Sequence, residues 1–162
     1  MGFVFSFLDP LAQTDNYNCW LFDWKQANQS SGGYTGQMGM SLNRLSGVIP
    51  TGGYSQTFWG HQNTAQFTSV ANNFGSAGWV RNFTHHFELF VTFTRAQIYI
   101  DGNLVFDHAD CYWPGRFGFY NYSQQDCYYS NFQYSLYVDF ENLTPTICPG
   151  DSILLTGNTN GR

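Results

Sequence analysis

Residues 97–107 read QIYIDGNLVFD, two apolar runs on either side of Asp101-Gly102. That dipeptide suits the two-residue type I′ turn, whose central positions both need positive φ, so the stretch predicts a tight β-hairpin. The same period of two recurs along the chain. Phe3, Phe5 and Phe7 alternate with Val4, Ser6 and Leu8, and Trp20, Phe22 and Trp24 alternate with Leu21, Asp23 and Lys25. Met38, Met40 and Leu42 form a third set, and Phe87, Leu89, Val91 and Phe93 a fourth. Successive side chains leave a strand on opposite faces, so this period predicts strands. No stretch shows a helical period. The expected fold is all-β, an antiparallel β-sandwich. Residues 46–82, rich in Gly, Asn and Gln around Trp59 and Trp79, show no readable pattern.

Residues 114–134, PGRFGFYNYSQQDCYYSNFQY, hold eight aromatic rings and only two charges, Arg116 and Asp126. Two alternating runs joined by a polar break predict a second hairpin. Its second strand would run from Tyr128 to Tyr134 and on through Leu136, Val138 and Phe140. The Phe positions are expected between the sheets and the Tyr and Asn positions on a wetter face. There the amphipathic rings of Tyr120 and Tyr122 suit ligand binding; the alternative is that the tyrosines are half-buried sheet residues.

Composition narrows the function. The 162 residues suffice for one sizeable core. Charged residues make up 10%, aromatics 20%, and the net charge is −5 with Lys25 the only lysine. Such a chain offers no basic surface to nucleic acid or an anionic membrane. No apolar run approaches the ~20 residues of a membrane span. Met1 does not open a secretory signal, so either a signal lay upstream or the chain is a piece of something larger. Cys19, Cys111, Cys127 and Cys148 form no C-x-x-C pair, and no histidine sits at zinc-finger spacing. An oxidising compartment with disulfides is expected. Cys111 and Cys127 flank one strand and its turns, which predicts a Cys111–Cys127 bridge, with Cys19 the competing partner for either.

Catalytic chemistry has little to stand on. Glutamate occurs only at Glu88 and Glu141, the aspartates lie mostly in turns, and no G-x-S-x-G is present. The chain is therefore expected not to be an enzyme. His85 and His86 are adjacent and would face opposite ways on a strand. His61 follows Phe58-Trp59-Gly60, where Trp59 and the imidazole could cradle a sugar, against the plainer reading of a loop histidine. Calcium takes six to eight oxygens, and Asp9, Asp15, Asn16 and Asn18 crowd one loop, with Asp107 and Asp110 crowding another. Neither loop follows the D-x-[DN]-x-[DN]-G pattern, and turn capping by Asp and Asn is the plain alternative. The first loop is the expected metal site.

Several of these stretches, taken in order, resemble the carboxy-terminal lectin-like domain of thrombospondins and its bacterial surface-protein relatives. They are Gly2-Phe3-Val4-Phe5, Trp24-Lys25-Gln26, Gly78-Trp79, Gly115-Arg116-Phe117-Gly118 and Ser130-Asn131-Phe132. The match covers roughly residues 2–134. The resemblance implies a concanavalin A-like jelly roll, extracellular, often calcium-binding and concerned with adhesion. In two respects the chain departs from the family. It begins on the Gly-Phe-Val-Phe strand, which others precede in the family, and Asn121 stands where thrombospondins have a cysteine. Two parts are expected: a lectin-like sandwich over 1–141 lacking its first strands, then a linker and the first strand of an Ig-like module over 142–162. The expected function is a non-catalytic extracellular or cell-surface adhesion module, binding glycan or a surface protein with calcium as cofactor. The alternative is a structural subunit of an extracellular filament or surface assembly, self-associating through exposed strand edges.

Overall fold

The computed structural model describes residues 1–8, 15–122 and 126–135. Three antiparallel sheets hold nearly all of its regular secondary structure. Strands β1 (Gly2–Phe7), β2 (Asn16–Lys25), β5 (Gly39–Val48), β6 (Phe67–Asn72) and β10 (Arg116–Tyr120) form a five-stranded sheet in the order β10-β1-β2-β5-β6. Strands β7 (Phe87–Val91), β8 (Arg95–Ile100) and β9 (Asn103–Ala109) form a three-stranded sheet, and β3 (Gln29–Ser31) pairs with β4 (Tyr34–Gly36). The all-β expectation is met.

The two larger sheets meet face to face. Phe3, Phe5, Trp20, Phe22, Trp24, Met40 and Leu42 from the first pack against Ala96, Ile98, Ile100 and Phe106 from the second. Phe22 lies 6.2 Å from both Phe87 and Phe106, ring centre to ring centre. Fully burying one such ring contributes roughly 1.5–3 kcal/mol, so this layer is the main source of stability. The β8–β9 hairpin turns as expected at Asp101 and Gly102, with φ of 51° and 77°, and Ile100 pairs with Asn103.

A second apolar layer covers the opposite face of the large sheet. Cys19, Leu21, Leu45 and Phe67 pack there around Phe58. Phe58 belongs to a short π-helical turn, Ser55–Trp59, inside the stretch whose sequence showed no pattern. Its ring lies 5.2 Å from Tyr54 and 5.3 Å from Tyr17. β2 is thus covered on both faces and is buried continuously from Cys19 to Lys25. On β1 a bulge between Val4 and Phe7, with Ser6 at φ 51°, breaks the alternation. Phe7 therefore joins Val4 against the second layer while Phe3 and Phe5 stay in the first.

Three expectations are corrected. Phe93 lies beyond the end of β7, which stops at Val91. The segment from Asp126 to Ser135 folds back on β10 but forms no strand. Positive φ at Asp126 and Asn131 interrupts an extended run, and the contact is made by rings: Tyr129 on Phe119 at 4.3 Å, Phe132 on Phe117 at 5.0 Å. Finally, Phe117 and Phe119 are exposed, while Tyr120 packs on the second layer with its hydroxyl on the Phe58 carbonyl at 3.3 Å. On β10 the ring pattern thus runs opposite to expectation, whereas Tyr128 and Tyr134 are exposed as expected of the tyrosines. The continuation through Phe140, the boundary near 141 and the tail 142–162 lie outside the described residues.

Candidate functional site

On the second-layer face of the large sheet, β2 presents Cys19, Leu21, Asp23 and Lys25. Opposite them β5 presents Leu45, Asn43, Ser41 and Gly39. Four of these positions are polar, and all four are buried. Lys25 lies opposite side-chain-free Gly39, and its ammonium pairs with Asp23 while sitting 5.4 Å from the centre of the Trp59 ring. The N-terminal nitrogen approaches the other Asp23 oxygen at 3.4 Å.

His61 completes the cluster. It follows the π-helical turn with φ 50° and is clamped between Phe67 and Phe74, nearly parallel to both at 6.0 and 5.9 Å. Its Nε2 lies 3.1 Å from Asp23 Oδ2, within ion-pair range though not aligned as a hydrogen bond. Its Nδ1 lies 3.3 Å from Ser41 Oγ. Asn43 donates to Ser41 Oγ at 3.0 Å and to the Leu21 carbonyl at 3.2 Å. The partners assign a neutral imidazole with its proton on Nε2 and the Ser41 hydroxyl donating to Nδ1.

The electrostatics agree. Burial alone would raise the Asp23 pKa, but His61, Lys25 and the N-terminal ammonium hold the carboxyl well below its usual range. Burial pushes His61 down, and the Lys25 charge adds to this while Asp23 opposes it.

A histidine joining a carboxylate through one nitrogen and a serine through the other has the connectivity of a hydrolytic triad. Its surroundings are those of a core. Ser41 has no exposed surface, and Asp23 has 2%. A nucleophile must bring its oxygen within about 3–3.5 Å of the carbon it attacks, and Ser41 meets only protein. The network joins two strands and the π-helical turn. His61 is therefore a loop histidine, as the plainer reading had it, but one buried in the interior.

The structure brings the other expected ligand-contact residues together, with Trp59 buried and Tyr120 and Tyr122 half-buried against the second layer. Trp59 is buried with its ring 5.7 Å from Tyr122, and Tyr120 lies against Phe58. Of the expected calcium ligands, Asp9 lies outside the described residues. Asp15 Oδ1 accepts from the Tyr54 hydroxyl at 2.9 Å. Asn16 and Asn18 belong to β2, opposite Val48 and Ser46, and Asn18 Oδ1 faces the Ser46 hydroxyl at 3.5 Å. Among the described residues these oxygens form no cradle. The second loop is a cation site already filled by protein: Asp107 binds Arg95 through two oxygens, and Asp110 lies 4.0 Å from Arg44. His85 and His86 bind different carboxylates, Asp101 at 2.7 Å and Glu88 at 3.0 Å.

The Cys111–Cys127 bridge is corrected too. Cys127 carries a free thiol, as does Cys19. β10 separates the expected partners: Cys111 precedes its Arg116 end, which pairs with Phe7. Cys127 lies beyond its Tyr120 end, beside Tyr129, whose hydroxyl bonds Gly2 and Tyr120. Five strand residues span roughly 17 Å, far more than the ~4.4–6.8 Å between disulfide-bonded Cα atoms. Burial pushes the Cys19 thiol up to about 12.

Sequence reasoning missed Asp23, Lys25, Ser41 and Asn43 as a group. The available signal was Lys25, the one lysine of the chain, two residues from Asp23 on the strand with the most tryptophan. Comparison of the chain with protein-family models, curated proteins and solved structures finds no match.

Proposed function

We propose that this chain is a non-catalytic recognition module of the cell surface or extracellular space, binding glycan or protein on a rigid β scaffold. One observation carries the reading: the triad-like Asp23–His61–Ser41 network is sealed inside, while groups suited to binding face out. The outer face of the small sheet bears Glu88 opposite Tyr99, Phe90 opposite Gln97, and Gln97 in turn opposite Asp107. Phe90 and Tyr99 meet edge to face at 5.7 Å, so part of each ring face stays open, flanked by amide, carboxylate and guanidinium groups. An amphipathic ring beside fixed hydrogen-bonding groups suits a sugar, which has one apolar face and a rim of hydroxyls. The low charge and single lysine support a secreted or surface location. A jelly-roll relationship to the lectin-like domains belongs to the same proposal, supported by the two packed antiparallel sheets.

Calcium is the cofactor this reading would carry. Asp15 Oδ1 and Asn18 Oδ1 already accept from Tyr54 and Ser46, so the ion would share these oxygens with existing bonds or take the free Asp15 Oδ2. A glycan array probed with the wild-type chain and with Tyr99→Ala, each with calcium and with chelator, tests the proposal. Binding to a defined glycan set that Tyr99→Ala loses supports it. Turnover of any glycoside, or binding unchanged in the variant, overturns it.

A further inference from the structure

Near the Asn16 end of β2 a hollow opens on the face of the large sheet that meets the small one. β2 and β5 present Asn18 and Trp20 there, opposite Ser46 and Arg44. Ser6, in the β1 bulge, and Trp113, beyond β9, line the same hollow, whose volume is about 50 Å³. The segment carrying Trp113 is pinned. The backbone N–H groups of Asp110 and Tyr112 donate to the Thr94 and Phe93 carbonyls at 3.2 and 3.0 Å. The hollow reaches the surface at Arg44, whose side chain is 49% exposed. Its guanidinium carbon lies 5.8 Å from the centre of the Trp20 ring.

Lys25 and Arg95 are bound directly to carboxylates, whereas Arg44 has Asp110 Oδ1 at 4.0 Å, beyond hydrogen-bond range. That oxygen accepts instead from the Cys111 N–H at 2.6 Å. The described lining is rich in donors, namely a guanidinium, hydroxyls, an amide and indoles, and it contains no carboxylate. One positive charge among neutral donors suits a singly charged anion, and the planar guanidinium fork matches a carboxylate through two parallel bonds. Size sets the same limit. At roughly 10–15 Å³ per water-sized group the hollow has room for about four, which fits a carboxylate with its attached carbon and excludes a sugar ring.

We infer that this hollow binds the carboxylate of an acidic ligand, with Arg44 as the anchor and the Ser6 hydroxyl and Asn18 amide as further donors. The remainder of the ligand stays outside it. The site shares no residue with the Phe90–Tyr99 face and does not rest on the recognition reading. One half-exposed charged pair, in a chain of net charge −5, predicts a dissociation constant on the order of 1 mM.

Titration of the whole isotope-labelled chain with sodium glucuronate, followed by nuclear magnetic resonance, tests this, with glucose and sodium chloride as controls. Glucuronate should produce saturable shifts at the Asn18 and Trp113 side chains, and neither control should. Arg44→Gln should weaken binding about tenfold. Asp110→Asn removes the competing anion and should tighten it about threefold. Unchanged circular dichroism confirms that both variants fold. Acetylglycine offers the same carboxylate on a peptide unit. Tighter binding of glucuronate than of acetylglycine supports the inference with an acidic glycan as the source, and the reverse order supports it with a protein chain as the source. Three results would overturn the inference: no saturation by about 20 mM of either acid, shifts reproduced by glucose or by chloride (an adventitious ion only), or an Arg44→Gln variant that binds as the wild type does. Failure here is distinguishable from failure of the glycan array, since loss in Tyr99→Ala reports the small sheet and loss in Arg44→Gln reports the hollow.

Discussion

Replacing Asp23 by Asn changes almost no volume but removes the anion at the centre of the buried cluster. Lys25, with a side chain 6% exposed, would keep its charge with only the Trp59 ring 5.4 Å away and a neutral His61 nearby. Leaving one member of a buried pair uncompensated costs about 3–5 kcal/mol, and the cation–π contact with Trp59, already made in the wild type, offsets none of it. Lys25→Met should cost less, roughly 1–3 kcal/mol, because Asp23 retains His61, which can take up a proton, and the N-terminal ammonium. The double variant removes both charges, and its cost should fall short of the sum by about 2 kcal/mol, a coupling expected only of groups in contact. Urea unfolding followed by tryptophan emission suits the test, since Trp20, Trp24 and Trp59 are all buried. With a slope near 2 kcal/mol per molar, Asp23→Asn should lower the midpoint by about 1.5–2.5 M. A shift below about 0.3 M, or strictly additive single variants, would refute the claim that these charges are paired out of water.

Other outcomes follow from the same geometry. His61 is held below its ordinary value of 6.5, so below that pH the unfolded chain takes up a proton that the folded chain refuses. Stability should fall by about 1.4 kcal/mol per pH unit as pH drops from 6.5 toward 5, with a smaller slope in His61→Gln. Asp23, depressed in the folded state, adds stability that is present above about 3.9 and is lost only as pH falls below it. A Cβ at Gly78 would lie 2.0 Å from the Gln26 carbonyl oxygen, so Gly78→Ala should cost roughly 1–3 kcal/mol or block folding, read by calorimetry. Iodoacetamide should label Cys127 in the native protein and leave buried Cys19 untouched until denaturant is added, read by peptide mass. With calcium binding at ~10⁻⁴ M, 2 mM ion should raise the melting temperature by roughly 4–7 °C. A chelator-insensitive melting temperature would remove calcium from the reading.

What the sequence disclosed was whatever depends on alternation alone. The Asp101-Gly102 hairpin, the Phe3–Phe5 strand and the Trp20–Phe22–Trp24 face were legible because one side of each is apolar and the turn chemistry is local. The π-helical turn was illegible because its five residues show no period and it forms only against Phe67 and Tyr17, distant in sequence. For the same reason the alternation of Asp23 and Lys25 with Phe22 and Trp24 did not disclose their burial. Alternation tells which residues share a face and does not tell whether that face is covered. The Tyr128–Tyr134 run was misread in the other direction, since its alternation is real but two positive-φ residues and ring stacking replace the ladder. Cys111 and Cys127 are close in sequence yet divided by β10, which spacing alone does not reveal.

The central claim is that the Asp23–His61–Ser41 network belongs to the core while the chain does its work on its surface. Diethyl pyrocarbonate modification of the native protein, resolved residue by residue by mass spectrometry, addresses it directly. His86, with 71% of its side chain exposed, should react readily, and His61, with 2%, should react only after unfolding. Modification of native His61 at a rate close to that of His86 would mean that the network is open to reagents. The non-catalytic reading would then fail.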